Sequence, residues 1–247
     1  MTKAGILAKE TLDKLIAWDS LKEMRSPGLE TFHPIIQAVS GDQIGCVRVF
    51  HGERIRKLVN ISLAVAPAGL DSHMIFAFTD SASAAPHFTL DAVAAGPSYA
   101  FHLDLIPKTD LGANLNYLNT CYKPLVEHFN KANAIEGLVP AQLSPLQLAV
   151  MSPLMLAKRA SAPAFEKISE PVTSYLNHWQ SLLVNNDIID GKAAFPGCDF
   201  AKRDRDNREV LFNPEIDPVW GQIEKFIGPE TGSMMRRVLK NTAMESF

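Results

Sequence analysis

The 247-residue chain is short of the residues on which the commonest chemical motifs are built. It has three cysteines, Cys46, Cys121 and Cys198, and no two of them form a CxxC pair. An odd and scattered set argues against a disulfide framework, a zinc finger or an iron–sulfur cluster. A reducing compartment is the simple reading. There is no GxGxxG or GxxxxGK[ST] loop to cradle phosphates, and no GxSxG nucleophile elbow. The seven histidines never fall at HxH or HxxxH spacing, so no metal site is expected. No apolar run reaches the roughly 18 residues of a membrane span. The opening MTKAGILAKETLDKL reads as an amphipathic helix, without the apolar core and cleavage site of a signal peptide. The formal net charge of −3 does not favour nucleic acid as a partner. Neither a membrane nor a bound nucleotide, flavin or metal is therefore expected. If the chain does redox work, the redox-active molecule is its substrate.

What is present is a chain that is 47% hydrophobic and 21% charged, enough to bury a large core. No repeat, low-complexity tract or linker divides it, so one domain over 1–247 is expected. Residues 4–24 carry helical apolar spacing within a helical N-terminal segment of about 40 residues. From about 44 to 106 the period changes to two. GCVRVFHG, KLVNISLAVAP, HMIFAFTD, HFTLDAVA and SYAFHLDLIP read as strands joined by short links. Five strands with no helix between them predict an antiparallel meander. From 112 to 247 the chain reads as mostly helical, with helices over 112–134, 164–185, 217–226 and 230–243. LSPLQLAVMSPLMLAK (143–158) fits either a strand or a buried helical turn. Residues 196–216 read as polar and irregular. The expected class is α+β, a three-layer α/β/α sandwich around a central antiparallel sheet.

The meander carries the ionisable groups of interest. His87, Thr89 and Asp91 share one face of HFTLDAVA by period two, and His102 and Asp104 share one face of SYAFHLDLIP. The ordinary explanation is a solvated face. The helices on either side of the meander in sequence are enough to cover both faces, and a covered face of this kind is a polar pocket. His73, alone, reads as a strand-end residue. AKRDRDNREV (201–210) reads as a solvated charged loop, or as half of a docking surface for an acidic partner. Asp217, before Pro218, has the position of a helix N-cap.

APHFTLDAVAAGPSYAFHLDLIPKTDL followed by NYLNTCY resembles the central sheet of red chlorophyll catabolite reductases, relatives of the ferredoxin-dependent bilin reductases. LAVMSPLMLA and FIGPETGSMMRRVL resemble later segments of that family, in the same order. The resemblance runs in patches from about residue 44 to 242. It implies an antiparallel sheet between helices, a linear tetrapyrrole between sheet and C-terminal helices, ferredoxin as external electron donor, and no bound cofactor. It implies Asp91 as proton donor, through the P-x-F-x-x-D spacing. His73, one residue out of register, and Asp217, ahead of GPE, follow as further proton-transfer candidates, with His87 on the same strand as Asp91. Where several relatives carry a glutamate, this chain has Asn60 and Ser62. These two, with Thr89, His102, Arg208 and Arg236, are the expected substrate-binding residues, and Lys202 and Arg237 are further candidates for ligand carboxylates. The implied function is reduction of biliverdin or of an open-chain chlorophyll catabolite, in the cytoplasm or, for a mature plant-type chain, the plastid stroma. The alternative is a tetrapyrrole carrier without turnover.

Overall fold

A computed structural model describes residues 1–185, 188, 191 and 195–241. Its centre is a nine-stranded sheet in the order β1-β3-β4-β5-β6-β7-β9-β8, with β2 also paired to β3. The strands are β1 (Lys22–Met24), β2 (His33–Ile36), β3 (Gln43–His51), β4 (Lys57–Val65), β5 (Leu70–Phe78), β6 (His87–Ala95), β7 (Ser98–Ile106), β8 (Leu138–Pro140) and β9 (Leu156–Ala160). All pair antiparallel. The expected meander is β3 to β7. Its tightest turn joins Ala95 to Ser98 through Gly96 and Pro97. Gly96 has φ +57°, a conformation that a first turn residue with a side chain would resist.

Among the described residues the helices are α1 (Lys3–Asp19), α2 (Leu115–Tyr117), α3 (Val126–Asn133), α4 (Pro145–Ala149), α5 (Ala162–Glu166), α6 (Ser169–Leu182), α7 (Phe200–Leu211), α8 (Val219–Ile227) and α9 (Pro229–Lys240). Two hydrophobic clusters lie on opposite faces of the strands. One gathers α1, α5 and α6 against Leu58, Ile75, Leu90 and Leu103. The other gathers Leu211, Trp220, Ile223 and Met235 of α7 to α9 against Val59, Ile61, Met74 and Phe76. Lys57 fixes the second group. Its buried Nζ donates to the carbonyls of Val238 (2.6 Å) and Asn241 (3.0 Å) at the end of α9, where a cation also suits the helix dipole.

Several segments differ from the sequence expectation. The N-terminal segment is helical only to Asp19; it then adds β1 and β2 to the edge of β3. The helix expected over 112–134 is broken into α2, a π turn (Leu118–Tyr122), a 3₁₀ turn (Lys123–Leu125) and α3. That over 164–185 is split into α5 and α6. Residues 143–158 are both things at once, α4 and then the start of β9. The last helix stops at Lys240; residues 242 and 243 of its expected span lie outside the described residues.

The largest correction is α7, which occupies the tract read as irregular. Asp199 caps it, accepting from the Lys202 N–H at 3.0 Å. Its buried positions are Phe200, Asp204, Asn207, Arg208 and Leu211, a helical stripe. Three of those five are polar, so hydrophobic periodicity does not reveal it. Burial is tolerated because Asp204 accepts from Arg208 Nε (2.7 Å) and from His87 Nε2 (2.7 Å).

Candidate active site

Strand alternation decides which side chains meet. In the β5–β6 ladder Met74 stands opposite Asp91, and in the β6–β7 ladder His102 stands opposite Asp91. Directly opposed residues point to the same face of a sheet. Thr89 and Asp104, opposed one step further along, join that face. It turns toward α7 to α9, where a cavity of about 400 Å³ lies. The cavity floor draws on β4, β5, β6, β7 and β9, from Leu63 to Lys158. At roughly 4.8 Å per strand spacing that floor is about 19 Å wide. Phe212, Trp220, Ile223 and Phe226 form its helical wall, and Ala141, Leu143, Gln147 and Met151 another. The lining is mainly apolar, with Asp91, His102 and Asp217 as its ionisable centre.

His102 Nδ1 lies 3.5 Å from Asp91 Oδ2. Burial alone would lower the His102 pKa, but the Asp91, Asp104 and Asp217 carboxylates outweigh it and raise it. Asp104 is fully buried behind this pair. Burial pushes its pKa up to about 6, against the pull of His102 and of Ser152, whose N–H and hydroxyl both donate to it at 2.8 and 2.5 Å. Asp217 reaches the cavity from just ahead of α8. Its Oδ1 accepts from the Val219 N–H and from Gln147 Nε2, both at 3.1 Å. Gln147 is itself fixed, because its N–H and Oε1 close a capping box with Ser144 at the start of α4. Burial and the Asp91 charge raise the Asp217 pKa. Asp217 thus caps the chain entering α8, as its position before Pro218 predicts, and also faces Asp91. The local and the functional explanations hold together.

The other sequence candidates separate. His73 lies on the opposite face, where its Nε2 meets Asp71 Oδ1 at 2.7 Å beneath the start of α1. The one-residue offset noted in the sequence is the reason: Met74, not His73, faces the cavity. Asn60 and Ser62 are opposed to Ile75 and His73, so they too face away from Asp91. Asn60 donates to the Met74 carbonyl, and Ser62 meets Cys46. His87 shares the Asp91 face but is sealed at its far end. Its Nδ1 accepts from the Thr79 N–H (3.1 Å), so the Nε2 proton points to Asp204. Burial, aided by Arg208 and Lys108, lowers its pKa to about 4, against the Asp204 charge. Arg208 is spent on Asp204 and on the Phe78 ring, 3.8 Å from its guanidinium. Arg236 pairs with Glu224 outside the cavity, over the outer side of Trp220. The exposed Lys202 pairs with Asp206.

Sequence reasoning missed Lys158, Gln147, Gln222 and Trp220, which all line the cavity. Lys158 borders the cavity, but it stands opposite Phe101 in the β7–β9 ladder, so its side chain belongs to the face away from Asp91. Burial lowers its pKa and no carboxylate offsets this. The alternation of LAKRA in β9 was its only signal, masked by the prolines on either side of the apolar run. Among the described residues, no group of three or more His, Cys, Asp or Glu is arranged to hold a metal, and no helix is long and apolar enough to cross a membrane.

No family model and no curated protein sequence matches the chain. Among solved structures it matches phytochromobilin synthase from tomato, crystallised in complex with biliverdin, with a TM-score of 0.69 at 18% identity. The match covers 98% of this chain and 84% of the tomato chain. The two share a fold, in agreement with the resemblance read from the sequence.

Proposed function

We propose that this chain, built on the fold of phytochromobilin synthase, is a ferredoxin-dependent reductase of a linear tetrapyrrole. The substrate class is biliverdin or an open-chain chlorophyll catabolite, and the chain works as one α/β/α domain. One observation carries the reading: an acid–histidine group, Asp91, His102 and Asp217, sits in the wall of an apolar cavity whose floor crosses five strands. The width suits a long, flat, conjugated ligand. The polar centre suits its pyrrole nitrogens, because a carboxylate accepts from N–H groups and stabilises a cationic ring system.

Each two-electron reduction of a conjugated C=C unit consumes two electrons and two protons. Reduced ferredoxin supplies the electrons one at a time. The protons come from carboxyl and imidazolium groups at the cavity. Asp217 is held with a raised pKa, so a fraction of it is protonated closer to neutral pH than an ordinary aspartic acid. His102 is held toward its cationic form by three carboxylates and passes a proton to Asp91 across their shared contact.

The test is to mix the protein with biliverdin, ferredoxin, a ferredoxin reductase and NADPH and to follow the absorption spectrum. New bands that succeed one another are expected. A single static shift would leave a carrier, and an unchanged spectrum with biliverdin and with an open-chain chlorophyll catabolite would remove the tetrapyrrole reading.

A further inference from the structure

Four buried side-chain polar atoms of the described residues have no hydrogen-bond partner: Thr89 Oγ1, Asp91 Oδ1, His102 Nε2 and Trp220 Nε1. A buried polar group left unanswered is costly, so each calls for an explanation. Three belong to the acid–histidine face. Trp220 does not. It comes from α8, on the helical wall of the cavity. It also differs in chemistry. A hydroxyl, a carboxyl group or an imidazole can donate or accept according to its proton, whereas an indole N–H only donates.

No acceptor lies within hydrogen-bond reach of Trp220 Nε1. Phe212 meets its ring edge-on at 6.4 Å, and the Arg236 guanidinium, itself a donor, lies 5.8 Å from it on the outer side. Trp220 is 2% exposed and its Nε1 is closed even to water, so a ligand oxygen reaches it only as the ring shifts toward the cavity on binding. The comparison within the chain is instructive. Trp179 is fully buried in the opposite core, and its Nε1 donates to the Pro86 carbonyl at 2.7 Å. The fold satisfies a tryptophan that is only structural and leaves unsatisfied the one that lines the cavity.

We propose that the Trp220 indole N–H is the donor that receives an oxygen acceptor of the ligand, either a lactam-type carbonyl or a carboxylate. Together with the Asp91 side, which accepts from N–H groups, it gives the cavity a direction. A ligand must present N–H donors to β6 and β7 and an oxygen to α8. An all-hydrocarbon or donor-only molecule of the same shape leaves Trp220 unanswered. This assignment rests on the tetrapyrrole reading for its probe, since biliverdin carries both kinds of group.

The experiment is a titration of the ¹⁵N-labelled protein with biliverdin, read at the indole N–H signals. The chain has three tryptophans, Trp18, Trp179 and Trp220, so three signals are expected, and Trp220→Phe removes one and thereby assigns it. On binding, the Trp220 signal should move downfield and exchange more slowly with solvent, while that of Trp179 stays in place. Trp220→Phe should bind biliverdin about 5- to 30-fold more weakly, the loss of one buried hydrogen bond. If that variant fails to fold, nuclear Overhauser contacts to Phe212 assign the signal in the unaltered protein, and its movement decides. Biliverdin dimethyl ester separates the two oxygen sources: a preserved movement points to the lactam, a lost one to a carboxylate. Saturation with biliverdin that leaves the Trp220 signal unmoved overturns the assignment alone. Failure of the unaltered protein to bind biliverdin overturns biliverdin as the substrate and this assignment with it.

Discussion

His102 and Asp91 are cross-strand partners in the β6–β7 ladder, with the imidazole Nδ1 3.5 Å from a carboxylate oxygen. Neither residue depends on a loop for its place. Both are fixed by the register of two nine-residue strands, so the pair is preorganised. Asp104, on the same strand as His102, and Asp217, from the α8 side, then set its charge.

Asp91→Asn is expected to bind biliverdin and to lose turnover. The amide keeps the shape but has no acidic proton to give. Loss of a general acid lowers the rate by roughly 10²–10⁴-fold. Binding by absorbance titration and single-turnover kinetics, read side by side, check this; unaltered turnover would take Asp91 out of proton transfer.

Asp217→Asn should fold as well as the parent, because the amide oxygen can still accept from Val219 N–H and Gln147 Nε2. Asparagine also caps helices about as well as aspartate. A loss of activity, or release of a partly reduced product, with unchanged melting temperature is the expected result. Full activity with the same product would reduce Asp217 to its capping role.

Asp104→Asn tests the buried carboxyl. Its folded pKa of about 6 lies above the ordinary 3.8, so the folded state holds a proton that the unfolded state releases. Stability therefore falls as pH rises from about 4 to about 6, and the deficit persists above that, about 3 kcal/mol in all. The amide can keep both Ser152 contacts by donating to its hydroxyl and accepting from its N–H. The variant should match the parent near pH 4 and exceed it in urea unfolding at pH 8. Parallel stability curves across that range would count against the buried-acid account.

Asp204→Asn should cost about 3–5 kcal/mol, since it leaves Arg208 buried without its counter-charge. Activity per folded molecule should hold, because Asp204 does not line the cavity. His87 adds a pH signature. Its folded pKa near 4 lies below the ordinary 6.5, so the stability of its neutral form is complete above about 6.5 and is lost as pH falls toward 4. Chemical unfolding across that window measures it, and His87→Gln should flatten the window.

The alternation of β3 to β7 was legible in the sequence, because a period of two over nine residues is a local property. So was the grouping of His87, Thr89 and Asp91, and of His102 with Asp104, on one side of each strand. The cap at Asp217 was legible for the same reason. Local pattern could not say which side of a strand meets which helix. His73 and Met74 are neighbours in sequence, and only the pairing of Met74 with Asp91 sends one to the cavity and the other beneath α1. Asn60 and Ser62 were displaced by the same rule. The helix α7 was hidden because its buried stripe is written with Asp204, Asn207 and Arg208, and these become core residues only when His87 and Phe78 arrive from strands more than a hundred positions away. Trp220 became a site residue through long-range closure, when α8 packed over the sheet. Sequence thus determined the strands and the side each residue takes within its strand, since those follow from backbone geometry alone. Tertiary structure decided which sides face one another, since that depends on how distant apolar surfaces are removed from water together.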